Sequence, residues 1–279
     1  RPHLDLHLSL RRQRQKCIRD REGIRCVMLD LDGTCYLTSL SGEVTLIDGV
    51  LDFLQRCDER GIARFFLSNN SSRSVDEYVS KLAGVGIPVT PDEVMLSTHD
   101  AISWLKEQGA TRVHLMGTEG CHSMLQDGKI DTRSDDPQFV VIGYHNTLSY
   151  TDIAEAAVWM QKGVPCMGIH GDVNCPSVDG GLPDVGSFLA MFEAAIGVTP
   201  VKVCGKPQPS MIEWKMDELG LESNELCIVG DRLVTDIEMA TRAGVRGVLV
   251  LSGEATREDL SSAPQSPDLV VGSVDELLR

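Results

Sequence analysis

Cys26-Val27-Met28-Leu29-Asp30-Leu31-Asp32-Gly33-Thr34 is an apolar run that closes on two carboxylates and a turn. An uninterrupted β-prone run of this length, with no polar alternation, is how a strand buried on both faces of a parallel sheet reads. Two carboxylates two positions apart at its end face one side, because side chains alternate along a strand. Gly33 lets the chain turn sharply there and approach a ligand closely.

Outward from this run, short β-rich segments alternate with helical ones, which predicts an α/β fold with a mainly parallel central sheet. A helix is expected over 49–60, closed by Gly61, then a strand at 64–68, a helix at 74–83 and a strand at 94–97. A second series follows, with strands at 113–116 and 139–144 and helices at 151–161 and 186–196. The first pattern is expected to resume with a strand at 201–205, a helix at 209–219, a strand at 226–231, a helix at 235–242, a strand at 247–251 and a short last strand and helix. The chain thus reads as one α/β domain, 26–98 and 201–279, interrupted by an inserted α/β domain of roughly 100 residues at 99–200, a usual domain size. The loop at 171–186, rich in Gly, Pro and Asp, is long enough to carry function.

Three further segments stand at predicted strand ends, the edge at which open α/β sheets bind ligands. Ser68-Asn69-Asn70 brings a hydroxyl and two amides, donors suited to phosphoryl oxygens. Gly205-Lys206-Pro207 places a lysine between an apolar strand and a proline that can begin a helix. Gly230-Asp231 follows a third apolar run, and Asp236 comes five residues later, an acidic pair suited to a hard cation with oxygen ligands. Each segment alone has a structural explanation as a turn or a polar strand end. Four in this order are hard to explain that way.

Bulk properties narrow the function. The 279 residues carry a formal net charge of −15, and eight of the 26 basic residues fall in 1–25 against three of the 41 acidic ones. The acidic remainder is the wrong sign for a nucleic-acid backbone. No apolar run approaches the roughly 18–20 residues that span a bilayer. The nine cysteines are scattered without a C-x-x-C pair, which fits a reducing, cytoplasmic setting better than a disulfide framework or a zinc site. The basic stretch 1–25 lacks the apolar centre of a signal peptide and is expected to be an extension outside the domains.

With these motifs in place, the chain resembles the haloacid dehalogenase superfamily of aspartate-nucleophile phosphatases, and within it the NagD-like, p-nitrophenyl phosphatase branch. DLDGT, SNN, GKP and GDRLVTDI match in order and spacing over residues 26–279, as does the run from Ile169 to Pro176 with Pro183–Ser187. The resemblance implies a Rossmann-like core with a large inserted cap that selects substrate. It implies Asp30 as nucleophile, Asp32 as general acid and base, and Lys206 as a charge-offsetting cation. Mg²⁺ is expected on Asp30, the Asp32 carbonyl and Asp231, with Asp236 supporting the site rather than binding directly. Ser68, Asn69 and Asn70, with Gly33 and Thr34, are expected to bind the phosphoryl group. Asp172, Asn174 and Asp184 are expected to read the leaving group. A small phosphorylated metabolite, such as a phosphosugar or a nucleoside monophosphate, is the implied substrate, and a homodimer through the cap is a further expectation.

Ser68 stands where many relatives carry Thr, and either supplies the hydroxyl. Arg232 stands where part of the branch has Asn, which leaves the subfamily open. Two other readings stay open on the sequence: a phosphomutase using the same aspartyl-phosphate, and an inactive member kept for binding. Against the first, only about 35 residues separate Asp32 from Ser68, too few for the small helical cap of those mutases. Against the second, the chain keeps Asp30, Asp32, Lys206 and Asp231.

Overall fold

The fold is described from a computed structural model covering residues 23–39, 42–175 and 180–277. Most of the basic extension therefore lies outside the described residues. Among the described residues fourteen strands run in chain order as β1 (Cys26–Asp30), β2 (Tyr36–Thr38), β3 (Val44–Leu46), β4 (Ala63–Ser68), β5 (Val94–Leu96), β6 (Val113–Met116) and β7 (Phe139–Ile142). They continue as β8 (Cys166–Gly168), β9 (Asn174–Cys175), β10 (Leu182–Pro183), β11 (Lys202–Val203), β12 (Leu226–Gly230), β13 (Arg246–Val250) and β14 (Leu269–Val271). The helices are α1 (Val50–Glu59), α2 (Val75–Gly84), α3 (Ser97–Glu107) and α4 (Glu119–Asp127), then α5 (Tyr150–Gln161), α6 (Val185–Ile196), α7 (Ser210–Leu219) and α8 (Glu238–Ala243).

The central sheet has six strands in the order β14-β13-β12-β1-β4-β5. β1 lies between β12 and β4, parallel to both, with Met28 opposite Ile228 on one side and Phe65 on the other. All five of its residues are buried, as are all five of β12, so the unbroken apolar runs are explained by burial on both faces. α1 buries Val50, Phe53, Leu54 and Cys57, the spacing of one helix face, and Gly61 ends the turn after it with φ 66°.

The chain divides into two compact units. One comprises the residues up to Leu67, Val85–Pro88 and those from Pro207 onward, and the other comprises Ser68–Gly84 and Val89–Lys206. The second contains a parallel four-stranded sheet, β11-β8-β7-β6. β7 shows why it is covered on both faces. Val140 and Ile142 join Ala156 and Met160 of α5 and Val185, Leu189 and Phe192 of α6. Val141, pointing the other way, joins Ala101 and Leu105 of α3 and Cys121 and Leu125 of α4.

Several local expectations are corrected. The run at 201–205 does not resume the first sheet. Only Lys202 and Val203 form a strand, paired with Met167 and Gly168 in the second unit. Ser97 opens α3 instead of ending β5, and neither α3 nor α4 was foreseen. The first turn of α3 buries Ser97, Thr98 and Asp100, polar residues that mask the apolar face. The helix expected at 235–242 begins with a π-turn, Leu233–Ile237, before α8, a feature frequent at functional sites. The last segment is a short 3₁₀ turn at Val274–Glu276. The antiparallel pairs β2–β3 and β9–β10 were also unforeseen, the second inside the loop at 171–186.

All eight cysteines of the described residues are free thiols. Burial pushes those of Cys26, Cys57, Cys121 and Cys166 up to about 12, so they pack as small hydrophobes. No helix among the described residues is long and apolar enough to cross a membrane.

Candidate active site

In the first unit the carboxyl end of β1 and the segment after β12 bring three acids together. Asp30, Asp231 and Asp236 each offer an oxygen, all within 4.8 Å of one another, and all three residues are buried. Asp30 comes directly from the strand, Asp231 follows β12, and the π-turn carries Asp236 back beside them. The backbone orients the acids. Glu254 N–H donates to Asp231 Oδ2 at 2.7 Å, and Arg232 N–H donates to Asp236 Oδ2 at 3.2 Å. Thr38 Oγ1, delivered by β2, donates to Asp32 Oδ1 at 2.6 Å and fixes that side chain.

The turn after β1 is tight. Cys35 N–H returns to Leu31 O at 2.8 Å, and Gly33 N–H donates to Tyr36 O at 2.8 Å. Gly33 has φ 84°, and a Cβ there would lie 2.3 Å from Asp231 Oδ2. Conformation and space both demand glycine at this position. Gly253 is as constrained in space, since its Cβ would meet Asp231 Oδ2 at 2.0 Å. The Cys35 thiol donates to Asp30 O at 3.3 Å, and burial, followed by the Asp30 and Asp32 charges, pushes it well up, so it remains a neutral donor. Thr34 is fully buried, and its hydroxyl has no hydrogen-bond partner among the described residues.

Three carboxylates held this closely away from water repel one another, and such a group is stable as ions only with compensating positive charge. The donors are all oxygen, and the two glycines keep the space beside Asp231 free of side-chain atoms. The set fits a hard divalent cation such as Mg²⁺ and lacks the nitrogen and sulfur ligands that zinc prefers.

The second unit holds the other motif residues. Ser68 Oγ accepts from Asn70 N–H at 3.2 Å and lies 3.3 Å from Tyr78 OH. Asn70 Oδ1 accepts from Ser72 N–H at 2.9 Å and Ser72 Oγ at 2.6 Å, so its carbonyl shapes the loop. Lys206 is only 4% exposed, and Gly205 before it has φ 71° and donates its N–H to Asp100 Oδ2 at 2.8 Å. Asn69 pairs with the backbone of Lys206, and its Nδ2 also reaches Asp172 Oδ2 at 3.1 Å.

The three residues expected to read the leaving group separate. Asn174 is exposed on β9. Asp172 is turned toward Asn69, with the fully buried His170 behind it, Nδ1 3.6 Å from Asp172 Oδ2. Asp184 faces inward as the cap of α6: its Oδ1 accepts from Val185 N–H at 2.7 Å and lies 3.5 Å from His170 Nε2. Asp184→Ala is therefore expected to destabilise the protein by about 1–2 kcal/mol, read as a lower thermal midpoint, with most of it recovered in Asp184→Asn. An unchanged midpoint would remove this capping role.

Asp100, Thr38, Gly253 and Glu254 escaped the sequence reading, and His170 entered it only within the matched run from Ile169 to Pro176. Asp100 left one signal, an acid on what became a helix's buried face; the loop pair 253–254 left none. The second unit also has a cavity of about 800 Å³ bordered by His114, His122, His145, Tyr150 and Trp159, and none of the motif residues lines it.

Comparison with known proteins agrees with this geometry. The profile of haloacid dehalogenase-like hydrolases matches residues 27–131, and that of HAD-hydrolase-like proteins matches 203–277. The structure of a 4-nitrophenylphosphatase from Thermotoga maritima superposes with a TM-score of 0.85 at 36% identity, covering 91% of this chain and 96% of that one. A glycerol phosphate phosphatase from Mycobacterium tuberculosis in complex with magnesium superposes at 0.82 with 29% identity, covering 92% of this chain and 77% of that one. A 5'-nucleotidase of Bacillus subtilis is 28% identical over 250 residues, 89% of this chain and 95% of that protein. Fold, motif order and these likenesses together establish that the chain belongs to the haloacid dehalogenase-like hydrolases, as a phosphoric monoester hydrolase of the NagD-like phosphatase branch.

Proposed function

We propose that this chain is a magnesium-dependent phosphatase that hydrolyses a small phosphorylated metabolite through an aspartyl-phosphate on Asp30. The observation that carries the reading is the buried cluster of Asp30, Asp231 and Asp236 at the strand ends, with Asp32 held beside it in sequence by Thr38. A carboxylate oxygen of Asp30 attacks phosphorus, and the bond from phosphorus to the leaving oxygen breaks. Asp32 gives its proton to that oxygen. Water then attacks the phosphorus of the acyl phosphate, Asp32 takes a proton from it, and Asp30 and inorganic phosphate are released. Ser68 and the backbone of its loop hold phosphoryl oxygens, and Lys206 offsets their charge. Asp30, Asp231 and the Asp32 carbonyl would hold Mg²⁺, with Asp236 in support, and the bound cation would neutralise phosphate charge.

The substrates that give these relatives their names, a nitrophenyl ester, glycerol phosphate and a nucleotide, share a phosphomonoester and differ in the group it is attached to. The test is phosphate release over a panel of phosphosugars, polyol phosphates and nucleoside monophosphates with Mg²⁺. Release from none of them, nor from p-nitrophenyl phosphate, would sink the reading. The scattered free thiols favour a cytoplasmic location.

The segment 99–200 lies wholly within the second unit, and we assign it the choice of substrate and the exclusion of water. Asp184 caps α6 and Asp172 turns toward Asn69, and we assign leaving-group recognition to Asn174, whose side chain is exposed on β9. Asn174→Ala should lower kcat/KM for the best natural substrate about tenfold, the loss of one hydrogen bond of roughly 1.5 kcal/mol. Hydrolysis of p-nitrophenyl phosphate should change little. Equal losses on both substrates would count against the assignment.

A further inference from the structure

We propose that Asn69 is a positioning residue that acts through Lys206, clamping its backbone, and that Asp172 holds the clamp in orientation. The inference rests on the role given to Lys206 above. It changes what the SNN motif does, because the Asn69 side chain then has no hand in binding the phosphoryl group.

The geometry is a closed pair. Asn69 Oδ1 accepts the N–H of Lys206 at 2.7 Å, and Asn69 Nδ2 donates to the carbonyl of the same residue at 3.0 Å. Both backbone groups of Lys206 are thus bound by one amide. The second Nδ2 proton goes to Asp172, whose oxygens lie 3.1 and 3.2 Å away. A primary amide nitrogen has two protons, so the side chain has no donor left for a phosphoryl oxygen. The amide's orientation is also dictated, since Asp172 can only accept and Lys206 N–H can only donate.

The surroundings fix the clamp itself. Ser97 Oγ donates to the Asn69 carbonyl at 2.6 Å, and Asp100 takes the N–H of Gly205 at 2.8 Å. A Cβ on Gly205 would lie 2.6 Å from Asn69 Oδ1 and 2.8 Å from Ser97 Cβ, so the clamp and the glycine require each other. Three of the four backbone polar groups from Gly205 N to Lys206 O are held by side chains of two residues that precede them by about a hundred positions or more. A buried loop needs partners for its polar groups, and that need alone would make Asn69 a structural residue. A positioning role adds a requirement the structural one lacks: the benefit of the clamp must vanish when the lysine side chain is gone.

That requirement sets the test, a double-mutant cycle on p-nitrophenyl phosphate with Mg²⁺. Asn69→Ala should lower kcat about ten- to a hundredfold in the wild-type background and less than about threefold when Lys206 is already Ala. Equal losses in both backgrounds would overturn the inference while leaving the role of Lys206 intact. Wild-type turnover in Lys206→Ala would overturn that role and the inference with it. Asp172→Ala covers the case in which Asn69→Ala does not fold. It leaves both bonds from Asn69 to the Lys206 backbone available and removes only the acceptor that orients the amide. It should lower kcat about three- to tenfold in the wild-type background and leave it unchanged when Lys206 is already Ala. Equal losses in both backgrounds, or no loss in either, overturn the inference.

Discussion

Asp30→Asn is expected to reduce turnover of p-nitrophenyl phosphate by on the order of 10⁴-fold or more, with the fold retained. Asp30 stands at the end of a strand buried between two parallel neighbours, so an isosteric amide leaves β1 and its pairing undisturbed. The amide oxygen is a poor nucleophile and a weak cation ligand, and one substitution removes both contributions. Asp32→Asn should behave differently. It leaves the nucleophile in place and removes the proton donor, so the loss should be small for a nitrophenolate leaving group and large for an alkoxide. Stopped assays on the two ester types, with circular dichroism to confirm the fold, separate the outcomes. Near-wild-type hydrolysis by Asp30→Asn would exclude the covalent route through this residue.

Removal of divalent cations should be almost as severe. With oxygens of Asp30, Asp231 and Asp236 within 4.8 Å of one another and the residues buried, a bound cation would offset the mutual repulsion of the three acids. Excess chelator should abolish turnover, and Mg²⁺ should restore it. Saturating Mg²⁺ at about a hundred times its dissociation constant should stabilise the fold by about 2.7 kcal/mol, seen as a higher thermal midpoint. Ca²⁺ should raise the midpoint too yet inhibit, since its longer bonds and larger ligand number let it engage both oxygens of Asp30 and misalign the attack. Asp231→Asn should remove the Mg²⁺-dependent shift. It should also raise the midpoint of the chelator-treated protein, because one of three repelling charges is gone. Gly253→Ala should weaken Mg²⁺ activation without changing any ligand, through the 2.0 Å approach of its Cβ to Asp231. Full activity in chelator, or a metal-independent midpoint in the wild type, would contradict the site.

The central sheet was legible because its strands are short, mostly apolar and buried, and β1, β4 and β12 end in polar motifs at the same edge. The sequence of 26–34, read with 226–236, already carries the nucleophile candidate and the acids beside it. What linear order cannot carry is which sheet a short apolar segment joins. Lys202 and Val203 look like a return to the first sheet, but they pair with Met167 and Gly168, because a parallel crossover has the same local pattern wherever it lands. Polar residues show the same limit. Asp172, Asn174 and Asp184 sit within one loop and look alike in sequence, while burial makes one a partner of Asn69, leaves one exposed and makes one a helix cap. Asn69 reads as a phosphate donor until the fold brings Lys206, 137 positions away, against its amide. Sequence by itself determined the residue types available at the sheet edge and hence the chemistry. Tertiary structure decided which hydrogen bonds those groups make, because a side chain's partners are set by what the chain packs against it.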